Sequence, residues 1–309
     1  MKILYATEKP FAPQAITTIR TVIEKSGHEL LLLEKYEKRE ELLKAASAAD
    51  ALVVRSDIVD EALVGAAPKL KIVVRAGAGY DNIDLGACTS AGIVAMNTPG
   101  QNSNAVAELA FAMMLYNARG GFDGKTGSEL SGKSLGLHAF GFVGRCMARI
   151  ASGFGMKVFA FDPFVDRKII ADTGVIPVET IEELYSSCQY VSLHIPANET
   201  TRNSIGERLM SLMPEKAVLV NTARKEIINE SELLSVMEKR SDFSYLADIA
   251  PDNAGSFAGK YPGRYFFTPK KMGAQTREAN INAGVAAAEQ IVAFFATGDE
   301  TYRLNKPEL

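Results

Sequence analysis

Cysteine is scarce. Cys88, Cys146 and Cys188 are the whole complement, far apart and odd in number, which argues against both a disulfide framework and a zinc site. Long apolar runs are missing too. None reaches the ~18 residues needed to cross a bilayer, and the best stretch, Ala105 to Leu115, is interrupted by Glu108. The opening residues MKILYATEKP meet charge and proline too early for a signal peptide. No long basic block occurs, and the net charge is −3 with a pI near 5.8, so electrostatic binding of nucleic acid is not expected. Neither an internal repeat nor a low-complexity segment is present. These absences leave a soluble, cytoplasmic globular protein with no metal and no membrane or nucleic-acid partner. Against them stand 309 residues, 47% hydrophobic and 23% charged, with a mean hydropathy of +0.01. That is ample material for packed cores, and at roughly 150 residues per domain the length predicts two domains.

Short β-branched or apolar runs alternate with amphipathic stretches, the pattern of an α/β fold with parallel sheets. The first series of predicted strands is Lys2–Ala6, His28–Leu33, Ala51–Arg55, Lys71–Arg75 and Ile93–Met96, with helices such as Pro13–Ser26 and Arg39–Ala48 between them. A second series follows at Ser134–Ala139, Lys157–Asp162, Tyr190–His194, Ala217–Asn221, Tyr245–Asp248 and Tyr265–Thr268. Two longer helices flank that series. Ser103–Arg119 starts at a cap of Asn102 or Ser103, and Thr276–Thr297 at Thr276. The economical arrangement inserts a nucleotide domain, residues 101–281, into a smaller domain made of 1–100 and 282–309. Contiguous domains remain open on pattern alone.

The segment KSLGLHAFGFVGRCMARIASGFGMKVFAFDP reads as strand, tight turn, helix and second strand ending in an acid. In a Rossmann-like fold such a turn brings backbone amides and a helix N-terminus to a pyrophosphate, and the acid accepts bonds from the adenosine ribose. Gly141 and Gly144 are the second and third glycines, Ala139 replaces the first, and Asp162 stands 18 residues beyond Gly144. The AxGxxG motif is weak alone, and its placement between two strands strengthens it. Asp162 would oppose a 2′-phosphate, so NAD is the expected cofactor.

Further segments occur in a family's order: VVRSDIVDEAL, LKIVVRAGAGYDNIDLGAC, IVAMNTPGQNSNAVAELA, the turn just described, YVSLHIP, LVNTARKEIINESEL and FFTPKKMGAQT. Together they resemble the D-2-hydroxyacid dehydrogenases, most closely the branch acting on phosphoglycerate. The resemblance implies two Rossmann-like parallel-sheet domains with the active site between them, and a homodimer paired through the nucleotide domain. It also implies that the amides of Gly77 and Ala78 receive the substrate carboxylate and that Arg224 binds it and polarises the 2-oxygen. A bidentate guanidinium suits that task, since it fixes orientation as well as charge. Asn102 and Ser103 match the substrate-side turn. Ala78, Phe142, Val143, Ile195, Pro196, Thr222, Ala223, Arg224, Asp248, Gly273 and Ala274 map onto cofactor-contacting positions, beside Gly141, Gly144 and Asp162. A phosphorylated substrate needs a second cationic pocket, for which the resemblance supplies Arg55, with Ser56 beside it, and Arg75 is a further candidate from its place at a strand end directly before the carboxylate loop; the plainer reading pairs these arginines with Asp57 or Asp81.

The chain departs from the family where the chemistry is done. The family's acid–base histidine follows the last strand in TPHxGA, yet this chain has only His28, His138 and His194. The position reads TPKKMGA, one residue longer. Counting back from Gly273 puts Lys271 there, whereas counting forward from Pro269 puts Lys270 there. Lys271 is preferred, because the glycine fixes the loop. The assisting glutamate is gone as well, with Asn253 at its place and Asp252 beside it. The two losses belong together: a lysine starting near ~10.4 must fall towards ~7–8 to act as a base, and a carboxylate partner would oppose that. Desolvation and nearby cations such as Lys270 and Arg224 would favour it. Ala139, in a turn usually open to glycine, and Phe142, where an arginine often reaches the pyrophosphate, should weaken NAD binding.

The expected activity is NAD-dependent oxidation of 3-phospho-D-glycerate to 3-phosphohydroxypyruvate, the first step of serine synthesis in that branch, by a short form without a C-terminal regulatory domain. The competing readings are another D-2-hydroxyacid dehydrogenase, such as a glyoxylate/hydroxypyruvate reductase or a D-lactate dehydrogenase, and a catalytically inactive NAD-binding regulator. If Asp162 faces the ribose, kcat/KM with NAD exceeds that with NADP, and equal values in a steady-state comparison would remove Asp162 from its role.

Overall fold

In the computed structural model, which describes residues 1–306, the chain divides into two units. The first comprises Met1–Asn102 together with the segment from Thr276 onward, and the second is Ser103–Gln275. The return to the first unit falls at Thr276, where pattern alone had put it near Asn282. The reason is local: the Thr276 hydroxyl accepts from the Ala279 N–H and caps the helix, so the whole helix stays with the first unit.

In the first unit the elements run β1 (Lys2–Thr7), α1 (Pro13–Lys25), β2 (Glu29–Glu34), α2 (Arg39–Ala46), β3 (Ala51–Val54), α3 (Glu61–Ala66), β4 (Ile72–Arg75), α4 (Leu85–Ser90) and β5 (Val94–Asn97). Among the described residues the strands form one parallel sheet ordered β2-β1-β3-β4-β5. Its two faces are buried in separate cores: Ile3, Val53 and Val74 look to one, Leu4, Leu52 and Val73 to the other. Burial on both faces explains why β3, and β5 up to Met96, read as continuous apolar runs rather than alternating ones.

The second unit continues with α5 (Ser103–Ala118), β6 (Ser134–His138), α6 (Phe142–Gly153), β7 (Lys157–Phe161), α7 (Arg167–Ala171), β8 (Ile176–Pro177), α8 (Ile181–Ser187), β9 (Tyr190–Leu193), α9 (Glu207–Met210), β10 (Val218–Asn221), α10 (Glu230–Lys239), β11 (Ser244–Ala247) and β12 (Tyr265–Phe267). The parallel order is β12-β11-β10-β9-β6-β7-β8. The order reverses between β6 and β9, and the ends of the strands flanking such a switch point form the crevice where open α/β sheets bind ligands. Both sheets are the parallel, Rossmann-like layers expected. The pattern missed β8, an edge strand of two residues ending in a proline that cannot donate to a ladder.

Helix α11 (Arg277–Thr297) closes the first unit by packing on α1. The fit depends on Gly284, where an added Cβ would stand 2.8 Å from the ring of Phe11 and 3.2 Å from Ile19. The Gly284 carbonyl also accepts the buried Tyr5 hydroxyl at 2.9 Å. Overpacking such a contact costs roughly 1–3 kcal/mol. Gly284→Val should therefore lower the urea midpoint by that much stability with an unchanged m value, and an unaltered midpoint would show the helices free to move apart.

Candidate active site

The turn after β6 is built for close approach. Ala139 sits at φ +87°, a left-handed conformation that an L-residue adopts under strain, in keeping with its place where glycine is usual. Gly144 has no room for a side chain, since its Cβ would meet the Ala139 carbonyl oxygen at 2.5 Å. Gly141 is the opposite case. Its φ of −74° is ordinary and its Cβ would meet nothing within 4 Å, so no internal packing asks for glycine there. Gly141 caps α6 without a side chain, leaving the first-turn amides around Phe142 and Val143 uncapped beside open space. That cradle fits a pyrophosphate. Asp162 follows β7, and its Oδ2 accepts the Phe140 N–H at 2.7 Å and its Oδ1 the Phe164 N–H at 2.9 Å. The acid predicted to meet the ribose thus also holds the strained turn. Phe142, at the pyrophosphate end, is 57% exposed.

The other predicted cofactor positions of the second unit lie past the strand ends of the same sheet, whereas Ala78 lies in the first unit. Ile195 and Pro196 follow β9, Thr222, Ala223 and Arg224 follow β10, Asp248 follows β11, and Gly273 and Ala274 lie beyond β12. The Thr222 hydroxyl is buried without a hydrogen-bond partner, a polar atom left for a bound group to satisfy. Asn221, which the pattern did not single out, is buried and shapes the turn. Its Oδ1 accepts the Ala223 N–H at 3.0 Å and its Nδ2 donates to the Arg224 carbonyl at 2.8 Å.

Asp248 departs from expectation. It is 2% exposed, and its carboxylate is taken up by its own unit. Oδ1 accepts from the Thr268 hydroxyl at 2.9 Å and the Met272 N–H at 2.7 Å, and Oδ2 accepts the Gly273 N–H at 2.7 Å. The next residue, Ile249, stands at φ +122°, which is a marked outlier for a β-branched side chain. The loop so held carries the two lysines. Lys271 Nζ donates to the Ala223 carbonyl at 2.7 Å, and Arg224 Nη1 donates to that same oxygen at 3.1 Å. Two of the three predicted catalytic cations therefore stand side by side. Lys270 is exposed. Asp252, beside the missing glutamate, is ion-paired with Lys225. Asn253 is tied to Glu230 through its N–H and its side-chain amide.

In the first unit, Arg55 follows β3. Its guanidinium donates to the Asn280 side chain and, at 3.4 Å, to the Lys9 carbonyl, and lies 5.2 Å from the Phe11 ring centre. The plainer reading, an Arg55–Asp57 pair, is not what forms. Asp57 instead accepts from the Arg55 backbone N–H and the Tyr36 hydroxyl. Burial pulls the Arg55 pKa below its ordinary value, with Asp57 opposing. Ser56 beside it is exposed. Arg75 Nε donates to the Arg55 carbonyl at 3.1 Å. The guanidinium of Arg75 lies over Gly77, whose φ is +148° and whose Cβ would fall 1.6 Å from Nη1. The Gly77 amide corrects the sequence reading. It donates to the buried Thr98 hydroxyl at 2.7 Å rather than standing open to a carboxylate, because β5 runs beside β4 and brings Thr98 against it. Ala78 follows, its carbonyl accepting from Asn97 at 2.6 Å. Asn102 ends this stretch half-buried, and Ser103 opens α5 buried.

The sequence profile of the D-isomer specific 2-hydroxyacid dehydrogenase NAD binding domain matches residues 104–255. A crystal structure of NAD-bound 3-phosphoglycerate dehydrogenase in Entamoeba histolytica superposes with a TM-score of 0.86 at 47% identity, covering 99% of both chains. The chain belongs to the D-2-hydroxyacid dehydrogenase family. The hydroxypyruvate reductase of Thermotoga maritima is 38% identical over 66% of this chain and 70% of its own. The D-3-phosphoglycerate dehydrogenase of Methanocaldococcus jannaschii is 34% identical over 82% of this chain and 51% of its own. The chain spans about half the length of several such curated relatives. Its second unit carries the family's NAD-binding domain, and NAD is the cofactor that the glycine turn, Asp162 and the orphaned Thr222 hydroxyl fit. Among the described residues no cluster of metal ligands occurs, and no helix is long and apolar enough to cross a membrane.

Two of the chain's histidines lie at neighbouring strand ends of the same sheet, His138 closing β6 and His194 directly after β9. His138 Nδ1 lies 3.3 Å from the Tyr185 hydroxyl, and the His194 N–H donates to the His138 carbonyl at 3.0 Å. Burial pushes His138 down to about 4 against the pull of Asp162, and pushes His194 down to about 3 with His138 adding repulsion. Both are neutral in the fold, whereas in the unfolded chain they take up protons near ~6.5. Stability from this pair is whole above pH ~6.5 and is lost as pH falls from there towards the folded values. Urea unfolding between pH 7 and 4.5 should show that slope, shallower in His194→Gln; equal slopes in both proteins would mean that His194 is not held neutral.

Proposed function

We propose that the protein is an NAD-dependent dehydrogenase that oxidises 3-phospho-D-glycerate to 3-phosphohydroxypyruvate, the step that opens serine synthesis. The observation that carries the reading is the convergence of Lys271 Nζ and Arg224 Nη1 on the Ala223 carbonyl. A base and a carboxylate-binding guanidinium, carried by two different loops, are then neighbours at one carbonyl. NAD, when bound, accepts the C2 hydride. Lys271 takes the hydroxyl proton, and Arg224 grips the substrate carboxylate and stabilises the oxygen as it becomes a carbonyl. Lys270 acts through the charge it places beside Lys271.

Substrate choice rests on the first unit. Arg55 engages a carbonyl, an amide and an aromatic ring, so its positive charge is not cancelled by a bonded carboxylate. It is the cation proposed for the distal phosphate, with Ser56 beside it and Arg75 next in the sheet. The Ala78 amide and the Asn102–Ser103 turn are proposed for the carboxylate end. The reading extends to a homodimer and a cytoplasmic location, both carried by the family resemblance.

The test compares wild type and Arg55→Ala on phosphoglycerate and on unphosphorylated 2-hydroxy acids. Losing a charge-assisted contact raises KM for phosphoglycerate about tenfold or more and leaves the unphosphorylated substrate little changed. Equal losses on both make Arg55 structural. Wild-type turnover of D-lactate or glycerate alone points to another dehydrogenase of the family, and NAD binding with no turnover on any substrate points to a regulator.

A further inference from the structure

We propose that Asp248 is a positioning residue that delivers Lys271 to Arg224, a role resting on the reading of Lys271 as the proton acceptor. Its three hydrogen bonds bracket the lysine segment. Thr268 anchors the loop three residues before Lys271, while Met272 and Gly273 anchor it directly after. Pro269 has no N–H to spend on another anchor. Gly273 must be glycine for this, since its Cβ would lie 2.9 Å from Asp248 Oδ2 and 3.2 Å from Val106 Cγ2.

The contacts close into a ring. The Asp248 N–H donates to the Asn221 carbonyl at 2.9 Å. From Asp248 the carboxylate runs to Met272 and Gly273, and Lys271 Nζ returns to the Ala223 carbonyl. The Ala223 N–H then donates to Asn221 Oδ1 at 3.0 Å, the same residue from which the ring set out. A loop without helix or strand is fixed in this way to the turn that bears Arg224. The donors to Asp248 are neutral, so its charge is spent on holding N–H and O–H groups in place. An amide at 248 keeps the shape, but its NH₂ would face a donor.

The experiment measures kcat, KM and calorimetric NAD affinity for wild type, Lys271→Ala, Asp248→Asn and the double variant, with circular dichroism as the fold control. Lys271→Ala should lose roughly 10²–10⁴-fold in kcat. Asp248→Asn should lose about 10- to 100-fold in kcat, the size expected for a displaced catalytic group, with NAD affinity retained. The double variant should be no slower than Lys271→Ala, because Asp248 acts through the lysine. A double variant slowed by the product of the single effects, or an Asp248→Asn protein with normal kcat and weakened NAD binding, overturns the role. Near-normal kcat in Lys271→Ala instead defeats lysine catalysis itself. Should Asp248→Asn fail to fold, Thr268→Val removes one of the three donors at unchanged charge, and its smaller kcat loss must likewise vanish in the Lys271→Ala background.

Discussion

Asp248 lies at the end of β11 with both oxygens turned inward, and the geometry of the second unit's chemical end depends on what those oxygens hold. A buried carboxylate is costly unless its lone pairs are satisfied. Here they are satisfied by the one loop that carries Lys270 and Lys271. Removing water from the carboxylate and fixing the loop are therefore one event. The same economy appears at Asp162, whose oxygens hold Phe140 and Phe164. Each acid follows a strand of the sheet and pins the backbone just beyond the strand ends.

Both pins lie close to backbone strain. Ala139 at φ +87° and Ile249 at φ +122° occupy regions that cost an L-residue about 1–3 kcal/mol each. Such conformations persist only where the surroundings over-determine them. The parallel sheet, buried on both faces, supplies that rigidity. Strain is tolerated at the strand ends because β6, β9, β10 and β11 cannot shift to relieve it.

The first unit follows the same logic with cations. Asp57 is buried, yet it binds the backbone N–H of Arg55 and the hydroxyl of Tyr36 rather than the guanidinium. Arg55 is thereby held by its main chain, with its side chain against Asn280 and Phe11. A guanidinium positioned by neutral partners keeps its charge for an anion, whereas one locked to a carboxylate does not.

The sequence by itself determined the two parallel sheets, the glycine turn, the family and the loss of the histidine, because apolar periodicity, glycine spacing and residue type are local properties. Its strand boundaries were off in an informative way. The runs predicted to end at Arg55, Ala139, Asp162, His194, Asp248 and Thr268 each end one residue sooner. At that residue the chain leaves the ladder, and apolarity or a final polar residue does not mark where pairing stops. Only the tertiary structure decided that Lys271 and Arg224 share the Ala223 oxygen, that Gly77 spends its amide on Thr98, and that Asp248 organises a loop 20 to 25 residues further on. A backbone carbonyl carries no mark in the sequence, and a carboxylate reads alike whether it faces a ligand or its own chain. Which partner it takes is fixed when the strands pair and bring distant segments within hydrogen-bond reach.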